Sequence, residues 1–227
     1  MKRLIVLPVT LLLAVVCSAV SAASDCYGSV ASGRLDGGVK LPSAGPNFST
    51  YSMLAATMGR TYLHSHAARI VVDAYAAVDA ARPGLRFVYG ETGLRDGGRF
   101  APHKTHQNGL SIDFFVPVRD SAGRSVALPT EAATRFGYDL QFDSNGRHGQ
   151  YQIDYAAIGE HLYQLDIVAK KQGAGIAKVI FDLDYLPKLY ATARGPYLRQ
   201  HVTFMKSTPW VRHDEHYHVN FAIACKA

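Results

Sequence analysis

Cysteine is scarce in this chain, and several familiar signatures are missing altogether. Cys17, Cys26 and Cys225 are the three cysteines among 227 residues. They are too few and too dispersed for the cysteine-rich, four-ligand cage of a structural zinc site. His-Glu-x-x-His does not occur, which removes the helical zinc-peptidase arrangement. No basic run or stacking motif points to nucleic acid. Beyond Val16 no stretch is apolar enough to cross a bilayer, which takes roughly 20 residues. Repeats, low-complexity tracts and evident linkers are absent as well, so a single domain is expected.

The first residues point to export. Met1-Lys2-Arg3 is basic, Leu4 to Val16 is almost wholly apolar, and Val20-Ser21-Ala22 offers small residues for cleavage. That is the layout of a secretory signal peptide. The apolar run is short for a membrane anchor, and Val16 precedes Cys17 where a lipoprotein would need a small residue. The expectation is a signal peptide at 1–22 and one exported domain at 23–227, periplasmic or secreted, without a membrane anchor. Such a domain is long enough for a sizeable core. The formal charge of +6 falls to about +4 once Lys2 and Arg3 are removed, which suits an anionic polymer such as the bacterial wall. Nucleic acid would attract the same surface, but export argues against it. Cys26 and Cys225 remain, one near each end, and in an oxidising compartment they are expected to pair. Closing so long a loop constrains the unfolded chain by about 3–5 kcal/mol; two free thiols are the alternative.

Residues 24–64 show no sustained period and read as an irregular lead-in. From Ala67 to Ala81 the apolar residues fall on one helical face, with Ser65 as a candidate cap and Pro83-Gly84 as the stop. Leu85 to Tyr89 reads as a strand, Gly90 to Asn108 as a surface loop, and Leu110 to Val118 as a strand again. Turn signals crowd 119–153. Asp154 is positioned to cap a helix to about Lys171, with Gly173 beyond its end. Ile176 to Phe181 and His216 to Ala224 read as strands, and Leu186 to Ala193 as helical. The fold class expected is α+β, a largely antiparallel sheet with flanking helices.

Five of the ten histidines sit in two short segments. One runs from His103 through His106 to Asp113, the other from Trp210 through His213 and His216 to His218. Imidazole and carboxylate are ligands that zinc favours, and a catalytic site uses three of them, leaving a fourth position for water. Residues two apart on a strand share a face, so His216 and His218 point the same way. One ligand and one acid–base partner is the natural division between them. His106 lies in the loop, and a turn at Gly109 can bring it to Asp113.

These segments resemble the zinc motifs of the penicillin-insensitive murein endopeptidases. That family belongs to a wider group with D-alanyl-D-alanine carboxypeptidases, lysostaphin-type endopeptidases and the hedgehog amino-terminal domain. The group's His-x6-Asp and His-x-His motifs are matched by His106…Asp113 and His216-Tyr217-His218. Gly97-Gly98-Arg99-Phe100 before His103, and Pro209-Trp210 before His213, extend the likeness over about Cys26 to Cys225. The resemblance implies a zinc site on the sheet held by His106, Asp113 and His218. It implies that His216 acts beside the metal, that His213 supports it or contacts substrate, and that His103 binds an additional metal or substrate. A second metal would use an Asp-x-x-His segment. The nearest match, Asn145-Gly146-Arg147-His148, lacks the carboxylate, and Ser111 stands where the family often has Asp. One Zn2+ per chain is therefore expected, with a second in doubt at His148.

The implied function is hydrolysis of the D-alanine–diamino acid cross-links of peptidoglycan through a zinc-activated water. A D,D- or L,D-carboxypeptidase and a non-catalytic peptidoglycan-binding protein are the alternatives. Arg99, Lys104 and Arg212 are candidate contacts for a substrate carboxylate. Glu91 and Asp96 are candidates to line the cleft. Asp214 and Glu215 read as solvated, with Glu215 pointing away from His216, while Trp210 and Tyr217 read as packing beneath the site. Asp182 and Asp184 read as a solvated turn, and His64, His66, His161 and His201 as core or surface residues.

Overall fold

The computed structural model describes residues 23–226; the expected signal peptide lies outside them. The elements follow the periodicity where it is long. Helix α2 (Ser65–Ala81) buries Ile70, Val71, Ala74, Tyr75 and Val78 along one stripe, the pattern of a helix laid on a core. Its cap differs from expectation. The His64 ring accepts from the His66 backbone N–H at 3.1 Å, while Ser65 Oγ accepts from the Ser24 N–H. Helix α3 (Tyr155–Lys171) starts where Asp154 accepts from the Ala157 N–H at 3.0 Å. It ends with Lys170 and Lys171 against the carbonyl end of its dipole.

The lead-in is not irregular. It holds a hairpin, β1 (Asp25–Ser29) and β2 (Ser32–Asp36), then β3 (Phe48–Thr50) and a short helix α1 (Met53–Thr57). Elements of three to five residues are too short to display a period. Strands β4 (Phe87–Tyr89), β5 (Ser111–Phe115), β6 (Gly175–Ile180) and β7 (His216–Ala222) complete a five-stranded sheet in the order β6-β7-β5-β4-β3. Every neighbouring pair is antiparallel except β3 with β4. The strand expected to run to Val118 stops at Phe115. The chain, which lacks an N–H at Pro117, leaves the sheet and pairs Val118–Arg119 with Tyr151–Ile153 and Ser125–Val126 in a second, four-stranded sheet. The helix expected to reach Ala193 ends at Tyr190.

Register between β5 and β7 sorts the two faces of the sheet. Tyr217 pairs with Phe114 and Val219 with Ile112, while His218 pairs with Asp113 and Asn220 with Ser111. The first face joins the core with α2 and α3; the second carries the polar side chains. Cys26 and Cys225 form a disulfide across a sequence separation of 199, over a small satellite cluster with Leu35 and Leu110. A loop of that length removes about 5 kcal/mol of unfolded-state entropy. No helix among the described residues is long and apolar enough to cross a membrane.

Candidate active site

Asp113 is the centre of the polar face, and its two oxygens have different duties. Oδ2 accepts from the Tyr138 hydroxyl at 2.9 Å, and that hydroxyl accepts in turn from the Glu91 backbone N–H at 2.9 Å. Oδ1 lies 3.3 Å from His106 Nε2 and 2.8 Å from His218 Nδ1. Burial pushes the Asp113 carboxyl up, but the His106 and His216 rings and the hydrogen bonds outweigh it and hold the group well below the usual carboxylate range. Asp113 is an anion at neutral pH.

The far side of each histidine fixes its tautomer. His106 Nδ1 donates to the Thr92 carbonyl at 2.9 Å, and burial drives the ring's pKa down to about 4. Its Nε2 is therefore a bare lone pair, and it has no hydrogen-bond partner. His218 Nε2 donates to Asn220 Oδ1 at 2.8 Å, an oxygen that also accepts from Ser111, so His218 Nδ1 turns toward Asp113. Two nitrogen lone pairs and a carboxylate oxygen packed together repel one another unless a cation lies between them. Imidazole nitrogens and a carboxylate are donors that a metal ion such as zinc favours. His106 reaches it from a left-handed backbone at φ 69°, a conformation that a non-glycine residue keeps where the surroundings over-determine it.

Among the described residues, His103, His106 and Asp113 form a group able to hold a metal ion, their donor atoms within 4.8 Å of one another. The sequence places His103 beside the primary set; in space it stands with it. His103 Nδ1 is 3.8 Å from Asp113 Oδ2. Its Nε2 pairs with Glu91, which also pairs with Arg60 and accepts from the Tyr51 hydroxyl at 2.9 Å. Burial alone would raise the Glu91 carboxyl, yet His103 and Arg60 bring it down to about 2. Burial lowers the His103 ring, but Glu91 and Asp113 reverse this and raise it.

A cavity of about 610 Å³ opens above this floor. His216 Nε2 is 3.9 Å from Asp113 Oδ1, and the His213 ring packs on His216 with centroids 4.6 Å apart. Burial lowers both rings to about 4. Lys104, Glu91 and Arg212 line the cavity, although Arg212 is already paired with Asp214. Arg99 and Asp96 are exposed and outside its lining. His148 is also outside, its Nδ1 donating to the Gln141 carbonyl at 2.9 Å.

Several expectations change here. Asp214 and Glu215 are buried at 3 % exposure each. Glu215 does not point away: its Oε1 meets His216 Nδ1 at 2.9 Å. The strand begins only at His216, so period-two alternation does not reach residue 215. Tyr217 packs beneath the sheet, as expected, but Trp210 stands 47 % exposed at the cavity rim. Asp182 caps a short turn by accepting from the Asp184 N–H. Tyr138, Tyr51, Arg60 and Arg135 also line the cavity, and sequence reasoning singled out none of them. Gly90 makes room for one of these: a Cβ there would stand 2.7 Å from the Tyr138 hydroxyl and 3.1 Å from Asp113 Cβ.

The α+β domain thus carries a buried aspartate among histidines at the floor of a cavity, with a group there that could hold a metal ion. Comparison with known families supplies the class. The chain belongs to the penicillin-insensitive murein endopeptidase family, whose model covers residues 26–227. It is thus a member of a peptidase family that acts on murein. Compared with curated proteins, the chain finds no match.

Proposed function

We propose that the chain is an exported zinc D,D-endopeptidase that hydrolyses the D-alanine–diamino acid cross-links of peptidoglycan. The observation that carries this reading is the convergence of His106 Nε2 and His218 Nδ1 on one oxygen of Asp113, in a family of murein endopeptidases. His106, Asp113 and His218 would hold the ion, and His103 lies 3.8 Å from Asp113 Oδ2. When bound, zinc supplies Lewis acidity, polarising a carbonyl and lowering the pKa of water to around 7.

The chain's own residues do the rest. Tyr138 keeps Asp113 Oδ2 occupied and leaves Oδ1 to the side shared with His106 and His218. His216, with Nε2 toward the cavity, moves a proton during the reaction or steadies the charge that develops on the carbonyl oxygen, a contribution of roughly 10²–10⁴-fold. His213 supports that ring from the side. Lys104, on the cavity lining, would meet a carboxylate of the stem peptide, whereas Arg212 would first have to leave Asp214. With no serine nucleophile in this scheme, β-lactams do not acylate the protein. A site for a second metal at His148 is not part of it, since that ring is turned to a backbone carbonyl outside the cavity. Residues 1–22 act as the export signal and leave a mature chain starting near Ala23. The Cys26–Cys225 bond suits the periplasm or the exterior.

Purified cross-linked muropeptide dimers test this reading by mass. Conversion to monomers, stopped by a chelator and restored by zinc, is the expected result. Intact dimers with a zinc-loaded protein would overturn it in favour of a carboxypeptidase or a binding protein.

A further inference from the structure

Glu215 is buried, lines the cavity and stands just before the strand that carries His216 and His218. Its backbone carbonyl accepts from the Val116 N–H at 3.0 Å, which fixes where the side chain starts. Oε1 lies 2.9 Å from His216 Nδ1, and Oε2 is buried without a hydrogen-bond partner. Its neighbour Asp214 is fully engaged, by Arg212 and by the Phe142 N–H at 2.7 Å. A carboxyl kept in such a place works against stability, and a leucine would fill the same space without an orphaned oxygen. Residues that cost stability and border a cleft are those retained for function.

The packing around His216 shows what Glu215 can do. The ring lies against His213 at 4.6 Å, with Tyr138 edge-on at 5.4 Å. Those neighbours hold the plane of the ring, but they do not distinguish a ring from its half-turn flip. A flip exchanges Nδ1 with Cδ2 and Nε2 with Cε1 at nearly unchanged shape. A hydrogen-bonding partner on one edge does distinguish the two, as in other catalytic histidines.

We propose that Glu215 is a positioning residue for His216, gripping Nδ1 so that Nε2 faces the Asp113 side of the cavity. The inference rests on the reading of His216 given above as the proton-moving group. With Nδ1 engaged, Nε2 is the nitrogen left to exchange a proton with substrate, and it stands 3.9 Å from Asp113 Oδ1 at the cavity floor. A ring free to flip would present carbon to the cleft for part of the time.

Zinc-loaded wild type, Glu215→Leu, Glu215→Gln and His216→Ala, assayed on cross-linked muropeptide dimers, test the proposal. Glu215→Leu is expected to stay folded, the removal of its orphaned oxygen offsetting the His216 Nδ1 left without a partner, and to keep its zinc. Its kcat should nevertheless fall about 10–100-fold, with KM within about twofold. Glu215→Gln, whose amide oxygen still accepts from Nδ1, should recover most of that loss. Wild-type kcat in folded, zinc-loaded Glu215→Leu would overturn the proposal. So would a fall in kcat that tracks lost zinc or a lowered Tm in both variants, since that is a structural role. His216→Ala separates the two levels. If it turns over normally with zinc bound, the reading of His216 fails. If it is inactive while Glu215→Leu is not, the positioning role alone fails. Should Glu215→Leu not fold, ¹⁵N-histidine spectra of the wild type decide. A single ring state hydrogen-bonded at Nδ1 supports the proposal, and a flip-averaged ring contradicts it.

Discussion

His161 and His106 look alike by every general measure of burial. Both are shut off from solvent, both keep Nε2 without a hydrogen-bond partner, and burial pushes both down, to about 3 and about 4. Their neighbours differ. His161 sits within α3, stacked on Tyr75 at 4.8 Å and edge-on to Phe114 at 4.6 Å. Its Nδ1 accepts from the Tyr217 hydroxyl at 2.7 Å, so Nε2 carries the ring proton among aromatic faces, where such a proton is tolerated. His106 is the reverse. Its proton is on Nδ1, held by a backbone carbonyl, and its bare Nε2 is set 3.3 Å from an anionic oxygen. Burial and an orphaned nitrogen do not mark a ligand. A lone pair facing a carboxylate is the arrangement that a cation would relieve, and it is what sets His106 apart.

The largest expected effect is at His106. His106→Ala should lose the metal, and turnover should fall about 10³-fold or more, since enzymes of this kind accelerate reactions about 10⁶-fold and upward. Metal analysis beside dimer digestion checks both, and a metal-loaded, active variant would break the comparison. Tyr138→Phe is a smaller step. It frees Asp113 Oδ2 and takes the acceptor from the Glu91 N–H, so metal affinity should drop about tenfold with the fold intact. Competition with a chelator measures this, and unchanged affinity would mean that Oδ2 needs no partner.

The smallest effect on function is expected at His161, where His161→Phe should leave zinc content and turnover near wild type. It should still cost about 1–3 kcal/mol at neutral pH through the stranded Tyr217 hydroxyl. The pH dependence sharpens the contrast. His161 has a folded pKa near 3 against an ordinary 6.5. Between those values the unfolded chain binds the extra proton, and stability falls as pH drops through the window. The phenylalanine variant should therefore lose less stability than wild type between about pH 6.5 and pH 3. Thermal melts across that range decide it; parallel slopes would mean that His161 does not contribute.

What the sequence reveals follows from the length of its patterns. Helices α2 and α3 and strand β7 were legible because burial repeats over enough residues, and Asp154 marked the start of α3 at its observed place. The His/Asp spacing was legible only through the family resemblance; the register that sets His218 opposite Asp113 joins residues 105 positions apart and has no mark in the sequence. Residues 24–64 were not, since their elements are too short to show a period. Glu215 was misread by extending alternation one residue beyond the strand. Tyr138 was invisible: it follows a segment where Arg135 and Phe136 take left-handed backbones, and no motif announces such a path.

Zinc anomalous scattering from crystals of the loaded protein is the most direct test of which side chains hold the ion. The account predicts a peak about 2.0–2.2 Å from His106 Nε2, Asp113 Oδ1 and His218 Nδ1. A peak held by His103 with His106 and Asp113 while His218 stays outside its reach, or no peak at this floor, would contradict it.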